Sequence, residues 1–113
     1  MSEWLELDEL ELMLRALADE ARLNIVHHLA GLGEVNVSEI CSSLGISQPL
    51  VSWHLRRLRR AGIVRTRRFG RQVYCSLDLA RFQRCQHWLA ALVGSNQQAN
   101  TAERAFYGER VQS

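Results

Sequence analysis

Between Val37 and Leu55 the chain reads VSEICSSLGISQPLVSWHL, two short helical patterns broken by one glycine. Asn36 and Glu39 have the N-cap and N3 spacing of a capping box, opening a helix that runs to Leu44. Gly45 offers the left-handed residue that a tight turn needs. Ser47 then stands at the cap of the next helix, with Pro49 in its first turn, where a missing N–H leaves no bond unmade. That helix runs to about Ala61 and stops at Gly62. Two helices joined so closely must cross steeply. The crossing requires a small residue, supplied by Cys41, and apolar plugs on both sides, supplied by Ile40, Leu44, Ile46, Val51 and Leu55. The pattern is that of a helix-turn-helix. His54 departs from it, because an aliphatic side chain is usual at its place; a plain helical hairpin is the competing reading.

The flanks complete a small domain. Apolar residues at 7, 10, 14 and 17 give the Leu5–Leu17 stretch a helical period. Asp19 can cap a second helix with Leu23, Val26 and Leu29 as its stripe, ended by Gly31 and Gly33. After Gly62 the period changes. Ile63–Arg68 and Gln72–Leu77 are β-prone runs around Phe69-Gly70, which predicts a two-stranded hairpin. Asp78 caps a last helix with Phe82, Cys85, Leu89 and Leu92 on one side. The expected fold is therefore mainly α, a winged helix-turn-helix of about five helices plus a two-stranded wing. It occupies residues 1–93, and a polar tail follows over 94–113.

Charge is the second constraint. Met1–Glu39 holds two arginines against nine carboxylates, while Ile40–Leu77 holds eight arginines and no acid. The chain has no lysine, so its near-neutral total of +2 conceals a segregated block of arginine. Such a block repels itself unless a polyanion or an acidic partner neutralises it. Arginine's planar fork suits phosphate oxygens and the guanine edge.

Other classes are disfavoured. No apolar run approaches the roughly 20 residues that span a bilayer, and the acidic start MSEWLELDELEL does not read as a secretory signal. A cytoplasmic location and no membrane contact are expected. The three cysteines lack close pairing and fit reduced thiols. No nucleophile–base pair or phosphate-binding glycine loop is present, so an enzyme is not expected, nor a cofactor.

The runs LRALADEARLNIVHHL and VSEICSSLGISQPLVSWHLRRLRRAGIVRTRRFGRQVYCSL resemble the ArsR/SmtB family of bacterial winged-helix repressors, over roughly Leu14 to Leu77. The resemblance implies a homodimer joined by the first and last helices, bound to a palindromic operator and released by a signal. In such motifs the N-terminal end of the second helix enters the major groove. That places Gln48, Pro49, Leu50, Ser52 and Trp53 toward the bases. Gln48 can bond adenine, and Leu50 can meet a thymine methyl; local packing is the alternative for Leu50 and Trp53. Ser47, His54, Arg56, Arg57 and Arg60 are assigned to phosphates, with Arg68 and Arg71 at the wing tip. Arg59, Arg65 and Arg67 include solvated side chains, and Arg22 either reaches phosphate or pairs with an acid.

The release signal is left open. The family's thiolate site is an ELCVCDLC-like run, and here the matching residues EVNVSEIC keep Cys41 alone, with Asn36 and Ser38 at the first two thiol positions. One thiolate does not make a soft-metal site. The family's other site uses Asp and His in the last helix, where Asp78 and His87 stand without matching partners. No metal site is assigned. Cys41, Cys75 and Cys85 are candidate sensor thiols, each with a packing role as the alternative. The competing function is a winged-helix module that binds an acidic protein or RNA in place of a specific operator.

Overall fold

A computed structural model describes residues 2–94. The order is α1 (Ser2–Leu17), α2 (Glu20–Leu32), β1 (Val35–Asn36), α3 (Val37–Leu44), α4 (Gln48–Arg60), β2 (Val64–Phe69), β3 (Gln72–Leu77) and α5 (Leu79–Val93). The expected tail lies outside the described residues, except for Gly94.

Local chemistry sets the boundaries. The Asp19 carboxylate accepts from the Arg22 N–H to start α2, the Asn36 amide oxygen from Glu39 N–H to start α3, and Asp78 from Arg81 N–H to start α5. Gly45 ends α3 at φ 64°, ψ 34°, and the Ile46 N–H donates back to the Cys41 carbonyl at 3.2 Å. This left-handed residue turns the chain from α3 into α4.

The wing is larger than the expected hairpin. β3 pairs antiparallel with β2, from Val64 opposite Leu77 to Phe69 opposite Gln72, and also with β1, giving a three-stranded sheet in the order β1-β3-β2. Val35 lies opposite Cys75 and Asn36 opposite Tyr74. Asn36 thus pairs with the wing and caps α3, so the sheet is anchored to the helix-turn-helix at its first residue.

One core serves all the elements. Leu10 and Met13 of α1, Ile25 and Leu29 of α2, Ile40 of α3, and Val51 and Leu58 of α4 are buried together. Burial of each such side chain is worth about 1.5–3 kcal/mol. Three expected stripes shift by a residue. On α1 the buried line is Leu10, Met13 and Ala16, while Leu7 and Leu14 are exposed. On α2 it is Arg22, Ile25 and Leu29, with Leu23 exposed. On α5 Cys85 and Trp88 face inward, while Leu89 and Leu92 face solvent. In each helix two apolar lines compete at nearly the same period, and the single core takes only one of them.

Gly62 closes α4 at φ +76°, and a β-carbon there would lie 2.5 Å from Arg81 Nε. Arg81 is in turn paired with Glu9 at 3.5 Å, joining α5 to α1. Gly62→Ala should therefore destabilise the protein by about 1–3 kcal/mol in urea unfolding, through backbone strain and displacement of Arg81.

Candidate nucleic-acid interface

Helix α4 divides into three faces because its residues advance about 100° each. Val51, His54, Leu55 and Leu58 are buried. Gln48, Ser52, Arg56 and Arg59 form a second line at steps of three and four. Pro49, Trp53, Arg57 and Arg60 form a third, and all of these side chains are exposed. The second line walls a groove of about 380 Å³, which the wing closes with Thr66, Arg68, Arg71 and Gln72. No carboxylate lines it.

The arginines of the basic segment separate into two groups. Arg65 pairs with Asp78 at 3.1 Å, and Arg67 grips both oxygens of Glu34 at 2.7 and 3.2 Å. These contacts hold the carboxyls of Glu34 and Asp78 below the ordinary range, with the Asp78 shift led by its bond to the Arg81 N–H. Among the described residues, Arg56, Arg57, Arg60, Arg68 and Arg71 have no carboxylate partner. They are the five arginines assigned to phosphates from the sequence. Arg59 joins them: it reaches only the Thr66 hydroxyl, at 3.4 Å, and stands in the groove. Its helical spacing from Ser52 and Arg56 is the signal in the sequence that puts it on this line.

The expected base-facing residues fall on two sides. Gln48 and Ser52 look into the groove beside the wing. Pro49 and Trp53 lie on the opposite flank, and Leu50 is 45% exposed at the N-terminal turn. Trp53 is 42% exposed, with the Arg57 guanidinium 4.4 Å from its ring centre, so it is both packed and accessible. Ser47 occupies the cap position, yet its side chain makes no capping bond, and the first turn of α4 carries no acid. Its hydroxyl and the positive helix end are therefore open to an anion.

His54, a phosphate contact on the sequence reading, is instead buried at 4% exposure and does not face the groove. Its spacing to Val51, Leu55 and Leu58 puts it on the inward face, where its Nδ1 lies 3.1 Å from Arg22 Nη1. Arg22 is buried as well, donating to the Ala16 carbonyl at 2.6 Å with Asp19 3.9 Å away. Of the two options for Arg22, the acid-side pairing is the one present.

The thiols are unsuited to thiolate chemistry at two positions. Burial pushes Cys75 up to about 11 and raises Cys85 as well, which keeps both protonated at neutral pH. Cys41 is half-buried, and all three are free. Asn36 is occupied as the α3 cap, and Ser38 lines the groove. Among the described residues no group of three or more His, Cys, Asp or Glu side chains is placed to hold a metal ion. No helix among them is long and apolar enough to cross a membrane.

This geometry has clear counterparts. Residues 19–66 match the model of the bacterial regulatory protein, arsR family. The arsenic resistance transcriptional regulator ArsR1 of Pseudomonas putida is 36% identical over 105 residues, covering 90% of this chain and 82% of that protein. The arsenical resistance operon repressor of Escherichia coli is 43% identical over 66 residues, 58% of this chain and 56% of its own length. The solved structure of reduced HlyU from Vibrio cholerae superposes with a TM-score of 0.60 at 33% identity, covering 75% of this chain and 88% of that one. The chain belongs to the ArsR family and is a DNA-binding transcriptional regulator of winged helix-turn-helix type, not an enzyme.

Proposed function

We propose that the protein is a homodimeric repressor that sets α4 of each protomer into the major groove of an inverted repeat. Gln48 and Ser52 read bases from the groove side, and Pro49, Leu50 and Trp53 from the other. Ser47, Arg56, Arg57 and Arg60 hold phosphates, and Arg68 and Arg71 carry the wing onto the backbone or minor groove. The observation that carries this reading is the acid-free groove between α4 and the wing, lined by Arg56, Arg59, Arg68 and Arg71. The relatives' names agree in kind, since several are repressors, although HlyU of Vibrio cholerae is named a transcriptional activator. Such a regulator acts where the DNA is, in the cytoplasm.

Dimerisation through α1 and α5 is supported by what they leave uncovered. The two helices pack side by side. Leu7, Leu14, Leu89 and Leu92 are each about two-fifths exposed or more. A second copy would cover this face. Its two recognition helices would then stand roughly 34 Å apart, one turn of DNA. The arsenic and cadmium named for several relatives are not carried over, because the matching run here retains a single thiol; the release signal is unassigned.

In vitro selection of bound duplexes tests the reading. The wild type should recover an inverted repeat. Gln48→Ala should relax the preference at one base pair per half-site, costing about 1–3 kcal/mol of discrimination there. Recovery of unrelated sequences by the wild type, or tighter binding to single-stranded RNA, would favour the interaction-module reading instead.

A further inference from the structure

Among the described residues, two charged or polar side chains are buried, Arg22 and His54, and they bond to each other. The DNA reading gives neither of them a task. We propose that His54 is a positioning residue for α4 and an acid-sensitive latch: its neutral ring accepts from Arg22 and holds the reading helix against the α1–α2 corner, and protonation of the ring releases DNA.

Arginine is always a donor, so the contact at 3.1 Å requires a lone pair on His54 Nδ1 and places the ring proton on Nε2. A second proton would go to Nδ1. It would remove the acceptor and set an imidazolium against a guanidinium in a site with little water. Arg22 could not simply turn away, because its Nε is committed to the Ala16 carbonyl at 2.6 Å. The bond therefore links the end of α1, the start of α2 and the middle of α4 through one guanidinium.

The charged groups acting on the ring are Asp19 and Arg22 at the α1–α2 corner and Arg57 one turn along α4. Burial is the main influence and pushes the ring below its ordinary value; Arg22 and Arg57 push the same way, and Asp19 opposes them. The latched ring is thus harder to protonate than a released one. Its stabilising effect is complete well above the ordinary histidine range and fades as pH falls through and below about 6.5. The coupling reaches the DNA face directly. Trp53, the next residue, lies edge-on to the His54 ring at 5.0 Å and beneath Arg57 at 4.4 Å. The sign is diagnostic, because an exposed histidine near phosphate would gain affinity on acidification.

This inference rests on α4 being the reading helix, and its test separates the two. Duplex affinity of the full chain is measured at pH 5.5 and 7.5 at fixed ionic strength, for wild type, His54→Asn and Arg56→Ala. Asparagine keeps an acceptor near the Nδ1 position but does not titrate. The wild type should bind several-fold more weakly at pH 5.5, and His54→Asn should change by less than about twofold. The other histidines are common to both proteins, so their contribution cancels. Equal acid sensitivity in both, tighter binding by wild type at pH 5.5, or loss of its near-UV dichroism there would overturn the latch. If His54→Asn does not fold, the wild-type ring is followed by NMR: its titration midpoint must fall when duplex is added, and an unchanged or raised midpoint overturns the proposal. Arg56→Ala should weaken binding at both pH values; undiminished affinity in that variant would instead count against the α4 reading.

Discussion

Replacing Arg56, Arg68 and Arg71 together with alanine is expected to weaken duplex binding by about 10²–10³ per protomer near 0.1 M salt. The slope of log affinity against log salt should become shallower by about 3 per protomer, one unit for each phosphate contact removed. The basis is that these side chains have no carboxylate partner among the described residues, and that α4, β2 and the turn after it bring them into one groove. For the same reason the triple substitution should leave the unfolding midpoint unchanged or slightly raised, since it relieves repulsion among cations. Removing Arg65 and Arg67 should do the opposite: a small loss of stability with the salt slope largely retained. Both are tied to acids, but they are exposed, and solvent screens such pairs so that they contribute little. A salt titration by fluorescence anisotropy, paired with thermal unfolding, checks both halves.

Leu58→Ala should be among the most damaging single changes to the fold. Leu58 is fully buried on the inward face of α4, and truncating such a side chain costs about 2–5 kcal/mol. That is a large part of the roughly 5–15 kcal/mol that holds a small domain together. Urea unfolding should show a lower midpoint with little change in slope, because the surface exposed on unfolding stays nearly the same. Leu50→Ala on the same helix is the natural comparison. Leu50 is 45% exposed, so its truncation should stay within about 0.5 kcal/mol in stability while altering DNA binding. If the two variants were equally unstable, the assignment of faces on α4 would be wrong.

What the sequence made legible follows physical range. Caps and turns are local, so Asp19, Asn36, Gly45 and Asp78 marked their helix boundaries without help from the fold. The apolar period of α4 was equally plain, and it contained the clue to His54, three residues after Val51 and four before Leu58. The neighbouring arginines point to an exposed side chain there, but the apolar period decides its side. Long-range choices were not legible. Nothing near Arg65 or Arg67 announces that Asp78 and Glu34 will neutralise them, 13 and 33 residues away. Nor does a two-residue strand such as Val35–Asn36 have a period to recognise; it exists because β3 offers it an edge. On α1, α2 and α5 the sequence gives two candidate stripes, and only the packing of the other elements decides which is buried. The line left outside on α1 and α5 is the one assigned here to a second copy.

One face, made by α4 and the wing, is proposed to meet DNA. Amide NMR of the labelled protein titrated with duplex tests it directly. Shift changes should be concentrated in Ser47–Arg60 and Thr66–Val73, with α1 and α5 largely undisturbed. Changes centred on α1 and α5, or spread evenly over the chain, would contradict it.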